Sequence, residues 1–451
     1  MTFLQQFSVT GLLGEFNHKV KFQPGSKFVI LHGPNGVGKT KTLELLGAVL
    51  RFDVFKIAET QFSRIALRFS EGEQLTVTNN SGNLRSIDLT FELTGGTQQS
   101  DTAYGTLKIS AEDLPPAVWM DLERDIRVAF EHSAAPSSKL QALEHGGILF
   151  PTASRHIRTK ARHAGIFDLQ GFERKITDFL DKFSVHMVET QRLLILDRNM
   201  EPNRRRPGEA YPQRMKVSEC AQDLANRLAA ALTENSRISQ ERDKSFPRRV
   251  LDSTTEGKIP SEEEIRAAYA EQSSLRNRLA AIALLDESMD VPLQEESLVE
   301  WQRKVLWTYL EDSQKKLSSF EYLLHRVELF REIIRSRFQF KRMQIDRSAG
   351  FRFVNRHGDS ITPSQLSSGE QHEIVLIYDL LFDVTPGSLV LIDEPEISLH
   401  VAWQLDFLSD IQKIADLSGF RFIVATHSPQ IVNEWWDHTV GLNASNEEVG
   451  K

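Results

Sequence analysis

Cysteine is almost missing: Cys220 is the one cysteine in 451 residues. No internal disulfide framework can form, and the chain suits a reducing compartment such as the cytosol. Runs of about eighteen apolar residues are also lacking, so no membrane-spanning helix is expected. The opening stretch MTFLQQFSVTGLLGEF shows no basic segment followed by an apolar one, the form of an export signal. A cytoplasmic location is the expectation. Positive charge is not in excess, and a net charge of −8 gives no global pull toward nucleic acid or anionic membranes. Internal repeats and low-complexity tracts do not stand out. What is present, 40% apolar and 26% charged residues, is the composition of a soluble globular chain long enough for two or three cores.

The order of patterns along the chain suggests an α/β fold interrupted by helices. KFVILHG is a short apolar run ending in glycine, the form of a buried parallel strand. FSRIALRFS, EQLTVTN, SIDLTFEL and YGTLKIS alternate in polarity and predict an antiparallel sheet beside it. AVWMDLERDIRVAFEH and GFERKITDFLDKF read as helices, SVHMVE as a strand, and the proline- and arginine-rich 199–216 as an exposed loop. A long zone of apolar residues spaced three and four apart among dense charges then predicts amphipathic helices, in a helical hairpin or short coiled coil. One arm of roughly 40–50 residues would reach roughly 60–75 Å. Strand patterns return with FQFKRMQID, GFRFVNRHG, LVLIDE and FRFIVAT. The expected organisation is residues 1–198 and 341–451 as two parts of one head sharing a sheet, with a helical insertion at 199–340.

Five short stretches carry chemistry. GPNGVGKT, residues 33–40, follows a strand and precedes a helix, so it fits the phosphate-binding loop G-x-x-x-x-G-K-[ST] in pattern and in flanks. Gly33, Gly36 and Gly38 would let the backbone curl so that N–H groups face phosphate oxygens. Lys39 would bridge the β- and γ-phosphates, and Thr40 would hold Mg2+. Pro34, Asn35 and Thr42 complete the expected nucleotide contacts. LVLIDEPE ends a buried strand in acids: Asp393 is placed to hold the metal, and Glu394 to deprotonate or orient an attacking water. His427 in ATHSPQ ends another strand at the same sheet edge. Gln191 in ETQRL is placed to reach the metal or the water. LSSGEQ, residues 366–371, opens a helix. It reads either as a cap or as a second anion site built from Ser367, Ser368, Gly369 and Glu370.

Taken together and in this order, the five stretches resemble the ABC-type ATPase head of the SMC, RecF and OLD group. Within it they are most similar to the stand-alone ATPases of bacterial anti-phage systems such as Septu and PARIS. The resemblance implies that residues 33–40 are a Walker A loop, Gln191 a Q-loop glutamine, and Leu366 to Glu370 the signature. It likewise makes Asp393 and Glu394 the Walker B pair and His427 the switch histidine. EISLH, residues 396–400, stands where the D-loop belongs but lacks its aspartate, which weakens any role for Ser398. The implied fold is a P-loop NTPase of ABC/SMC-head type with an antiparallel β subdomain. The implied cofactors are ATP and Mg2+, held in a head-to-head sandwich of two copies.

Three functions compete for such a head. A transporter domain is disfavoured, because a long helical insertion separates Thr40 from Leu366 and no membrane span exists. A DNA-repair or recombination ATPase would draw on the basic stretches 155–163 and 203–206. The favoured expectation is a defence ATPase that senses a phage protein and controls a separate effector encoded nearby, a nuclease being the favoured kind. No Toprim-like acidic cluster or HNH pattern is visible to do that work in the same chain.

Overall fold

The computed structural model describes residues 2–81, 86–95, 102–110, 120, 124, 135–144, 167–169, 171–188, 194–196, 213–253, 260–286, 293, 296–397 and 399–442. Two compact units divide the chain: residues 1–190 with 384–451, and residues 191–383. Gln191, Ser398 and both basic stretches lie outside the described residues.

The N-terminal part of the first unit runs β1 (Leu4–Leu12), β2 (Phe16–Lys21), β3 (Phe28–His32), α1 (Lys39–Leu50) and α2 (Val54–Glu59). It continues through β4 (Arg64–Phe69), β5 (Gln74–Asn79), β6 (Ser86–Thr94), β7 (Ala103–Ser110) and α3 (Pro136–Glu144). β8 (Phe167–Asp168), α4 (Arg174–Leu180) and β9 (Val185–Val188) complete it. The second unit holds β10 (Leu194–Leu196), β11 (Gln213–Met215), α5 (Lys216–Ser253), α6 (Glu262–Ala280), α7 (Glu300–Ser318) and α8 (Glu321–Arg337). It ends with β12 (Arg342–Asp346), β13 (Gly350–Val354), β14 (Ser360–Ile361) and α9 (Ser368–Phe382). The chain then returns to the first unit with β15 (Leu389–Asp393), α10 (Val401–Gln404), α11 (Phe407–Ser418), β16 (Arg421–Thr426), α12 (Pro429–Val432) and β17 (Thr439–Gly441).

Two sheets build the first unit. Five parallel strands lie in the order β17-β3-β16-β15-β9, so strands from both ends of the sequence interleave in one sheet, as the sequence suggests. The alternating segments pair antiparallel in the order β2-β1-β4-β5-β6-β7-β8. α1 is buried on almost every side, from Thr42 and Leu43 to Leu50, and its side chains join one core with those of both sheets. That explains why KTLELLGAVL lacks a polar face: a helix with two apolar neighbours must be apolar all round. Each such leucine contributes about 1.5–3 kcal/mol by burial.

In the second unit α5 is a single helix of 38 residues, with Pro247 inside it, about 57 Å long at 1.5 Å per residue. The expected helical hairpin or short coiled coil has a return leg broken into α6, α7 and α8. One break falls at Ser319 and Phe320, inside a stretch whose periodicity predicts one helix. There Asn235 of α5 donates to Lys316 O at 2.7 Å and to Ser319 Oγ at 3.2 Å, and Phe320 is fully buried. A polar partner for the freed carbonyl plus burial of an aromatic outweighs helix continuity. β13 packs on α5 through Gly350, whose φ is 72° and whose missing Cβ would sit 1.8 Å from Ala221 O. Helix α9 belongs to this unit, as do β12 to β14, so the division falls after Asp383 rather than at 340. The physical cause is packing: Phe330 of α8, Phe351 of β13, and Tyr378 and Phe382 of α9 meet edge to face or stacked. The fold class is α/β, with a P-loop core, an antiparallel β subdomain and a helical insertion.

Candidate active site

The loop between β3 and α1 has the backbone its sequence predicts, with one difference of cause. Gly36 and Gly38 have φ of 89° and 83°, a region that costs other residues about 1–2 kcal/mol. Gly33 is not in that region; a Cβ there would meet the Leu442 carbonyl at 2.5 Å. Its glycine is therefore required by the neighbouring chain after β17. Pro34, Asn35 and Gly36 form the exposed crown of the loop. Lys39 is only 4% exposed, and its Nζ donates to Gly33 O and Pro34 O at 2.9 Å each. The ammonium thus spans the loop mouth. Thr42 is buried, and its hydroxyl donates to Gly38 O at 2.8 Å, the i−4 bond of a helical threonine.

Parallel pairing of β15 with β16 and of β16 with β3 brings three strand ends to one edge. Thr40 near the start of α1 and Asp393 at the end of β15 are neighbours there. Burial pushes the Asp393 carboxyl up to about 6; the Thr40 hydroxyl beside it opposes this, and the acids Glu394, Glu44 and Glu396 reinforce it. A half-buried acid among other acids is an electrostatic arrangement that a divalent cation would relieve. No group of three or more His, Cys, Asp or Glu suited to a metal occurs among the described residues. The donors present, one hydroxyl and one carboxylate, suit Mg2+, which usually completes its shell with phosphate oxygens and water. The residues fit that ion.

Glu394 has φ of 43°, and its N–H donates to Ala425 O at 2.9 Å. An L-residue in this region stores about 1–3 kcal/mol and is held there by its surroundings. His427 Nδ1 lies 4.0 Å from Glu394 Oε1 and 2.9 Å from Glu396 Oε1. Glu396 Oε1 also accepts from Thr426 Oγ1 at 2.8 Å and from the His427 N–H at 2.9 Å. Glu396 is thus a residue whose role sequence reasoning missed, because EISLH reads only as a D-loop without its aspartate. The only signal was a third acid in IDEPE. Its partner network extends to Gln404, whose Nε2 donates to Glu396 O at 3.4 Å and whose Oε1 accepts from Ser428 Oγ at 2.9 Å. His18 was missed too: it is 4% exposed, and its Nε2 donates to Val37 O of the loop at 2.8 Å. Burial lowers its pKa below the ordinary histidine value. The alternation of β2, which puts His18 on the same face as Val20, was the available clue.

LSSGEQ is a helix cap in the structure. Ser367 precedes α9, accepts from the Glu370 N–H at 3.4 Å, and receives Glu370 Oε2 on its own N–H at 2.9 Å. Lys341 Nζ reaches both Glu370 oxygens at 2.7 Å. Burial works against ionisation of Glu370, but Lys341 and the Ser367 N–H and hydroxyl together hold its carboxyl below the usual range. Glu370 is therefore already engaged by the protein, whereas Ser367 and Ser368 stay exposed.

Similarity to known proteins falls partly on these residues. Residues 232–433 match the family described as AAA domain, putative AbiEii toxin, Type IV TA system. The matched segment holds Ser367–Glu370, Asp393–Glu396 and His427, and leaves the 33–40 loop outside. The "Retron Ec83 probable ATPase" of Escherichia coli is 32% identical over 103 residues, 20% of this chain and 19% of that protein. "Protein ea59" of Escherichia phage lambda is 32% identical over 139 residues, 29% of this chain and 25% of that protein. The chain thus spans only a fifth to a quarter of the length of these curated relatives. Among solved structures, the Smc head domain with an extended coiled coil from Pyrococcus furiosus is 12% identical, with TM-score 0.36, over 98% of this chain and 93% of that one. The SMC head domain from Thermotoga maritima is 10% identical, with TM-score 0.34, over 97% and 94%. No helix among the described residues is long and apolar enough to cross a membrane.

Proposed function

We propose that the chain binds and hydrolyses ATP, and that it does so as paired heads in order to control a separate effector in an anti-phage defence system. The observation that carries the nucleotide reading is the buried Lys39 that spans the glycine loop, with the Thr40 hydroxyl beside the Asp393 carboxyl. In that reading the loop N–H groups and Lys39 hold the β- and γ-phosphates, and Thr40 and Asp393 hold Mg2+. The ion, when bound, neutralises charge on the β- and γ-oxygens. Glu394, fixed in its strained backbone beside Ala425, orients and deprotonates the attacking water. His427, its Nδ1–H accepted by Glu396, is left with Nε2 to face the γ-phosphate. Gln191, which follows β9 in the sequence and lies outside the described residues, would report nucleotide state. Ser367, Ser368 and Gly369 would meet the triphosphate of a second copy, because one triphosphate already fills the first copy's own loop.

The defence role draws on the local similarity to a retron ATPase. The phage lambda relative shows that matching segments also occur on the phage side. The test is made with the native operon. The protein should release phosphate from ATP only with Mg2+ and co-purify with the product of an adjacent gene, and Lys39→Ala should abolish both hydrolysis and protection from phage. Hydrolysis without a stable partner would leave an ATPase but sink the effector-control role.

A further inference from the structure

The loop that carries Lys39 rests on a hairpin of the antiparallel sheet. β1 and β2 pair up to Leu12 opposite Phe16, with a register shift after Val9, and the Gly11 N–H donates to Asn17 Oδ1 at 2.9 Å. The end of this hairpin lies against the loop: a Cβ on Gly38 would meet Leu12 Cδ2 at 3.0 Å and Leu13 Cδ1 at 3.7 Å. Val37 of the loop is buried and shares one core with Leu12 and Val20. Into that apolar contact β2 sends a polar ring, His18, on which Phe16 stacks with centroids 5.9 Å apart. An aliphatic side chain would fill the position as well as Val20 fills its own, so packing gives no reason for a histidine there.

The reason lies in the bond from His18 Nε2 to Val37 O at 2.8 Å. A carbonyl only accepts, so Nε2 carries the proton, and burial favours the neutral ring. Val37 O belongs to the peptide that joins Val37 to Gly38. That peptide is planar and trans, so its N–H points opposite to its C=O. Turning the carbonyl inward to His18 turns the Gly38 N–H outward, away from the core. The next peptide is held in the same manner. Gly38 O accepts from the Thr42 N–H and the Thr42 hydroxyl at 2.8 Å each, which points the Lys39 N–H out of the N-terminal end of α1. Gly38, with φ of 83°, sits between these two peptides and lets each take its own anchor. Successive N–H groups about such a left-handed residue form a concavity that suits an anion.

We propose that His18 is a positioning residue for the nucleotide: by holding Val37 O it aims the Gly38 N–H at phosphate, so that β2 sets the affinity of the loop. The inference rests on the nucleotide reading above and adds the means by which the chain pre-forms the loop. Loop N–H groups cradle the α- and β-phosphates, whereas the lysine reaches the β- and γ-phosphates. His18 therefore acts on a contact that ATP and ADP share, not on the phosphoryl group that is transferred. An interaction equally strong in the ground and transition states changes KM and leaves kcat alone. His18 is thereby distinguished from Glu396, which acts through His427 on turnover.

The experiment measures equilibrium binding of Mg–ATP and Mg–ADP and steady-state phosphate release for the full chain and its variants. His18→Leu fills the site but removes the donor. It should weaken ATP and ADP binding alike by about tenfold, the loss of one hydrogen bond to a charged group. KM should rise by the same factor, with kcat within about twofold of the wild type. His18→Gln, which offers an N–H at similar reach, should recover most of the affinity. His18→Asn, whose amide is too short for Val37 O, should behave like the leucine variant and carries the test if that variant folds poorly. Val20→Ala, on the same face of β2 and fully buried, opens a cavity without touching Val37 O. It should melt earlier yet bind ATP as the wild type does. An unchanged KM in the folded leucine or asparagine variant, a fall in kcat at unchanged KM, or an equal affinity loss in Val20→Ala would overturn the inference and leave the ATPase reading intact. A wild type that binds no ATP would overturn both.

Discussion

Replacing Glu396 tests the site at its least obvious point. Its side chain is 6% exposed, and one oxygen accepts from Thr426 Oγ1, the His427 N–H and His427 Nδ1 within 2.8–2.9 Å. Glu396→Gln keeps the shape and an acceptor but removes the charge. Charge-assisted bonds are roughly twice as strong as neutral ones, so about 1–1.5 kcal/mol of restraint on the ring is lost. If that restraint is realised in the transition state, kcat falls about tenfold, since about 1.4 kcal/mol corresponds to a factor of ten. Glu396→Ala leaves all three donors without this acceptor and should lower kcat about a hundredfold. KM for Mg–ATP should change less than kcat if, as proposed, Lys39 and the loop carry binding and His427 carries turnover. Steady-state phosphate release gives both constants, and a thermal melt separates catalysis from unfolding. A Glu396→Ala protein that melts like the wild type and turns over within twofold of it would refute the argument, and so would a rise in KM at unchanged kcat.

Further outcomes follow from the second unit. Ser367→Asp retains a good helix cap, so it should fold like the wild type, yet it puts a negative charge where a second copy's phosphate is proposed to sit. Hydrolysis should fall at least tenfold, and survival of full activity would show that LSSGEQ is only a cap. Ser367→Ala should instead cost about 1 kcal/mol of stability through the lost cap. Burial, opposed by Lys216, pushes the Asp379 carboxyl from the usual 3.8 to about 6. The folded state therefore holds that proton more tightly than the unfolded chain, so the stability it brings is present below pH 4 and lost as pH rises through 6. Asp379→Asn should gain stability relative to the wild type between pH 4.5 and 7.5, by up to about 3 kcal/mol at 1.36 kcal/mol for each tenfold in proton affinity. Parallel stability curves in urea would refute that account.

How legible the molecule was in its sequence depended on the range of the interaction concerned. Period-two alternation in RIALRF and QLTVTN announced β4 and β5, because strand faces are a local consequence of the pleat. The G-x-x-x-x-G-K-T spacing announced a loop between strand and helix for the same reason, although the helix begins already at Lys39. By contrast, helical periodicity across 298–338 did not reveal the break at Phe320, which depends on Asn235 far away in the chain. Nor did Gly33 disclose that its partner is the Leu442 carbonyl.

The sequence alone determined that strands, helices and a glycine loop occur in an order that sets Asp393 at the end of one strand, His427 just after another and Lys39 at the start of a helix. Local φ/ψ preference and polarity period are enough for that. Only the tertiary structure decided that Glu396 holds His427, and that α9 packs with α8 and β13. Each of these depends on which strands become neighbours, and register between distant segments is fixed by the packing of the whole core rather than by any short stretch of residues.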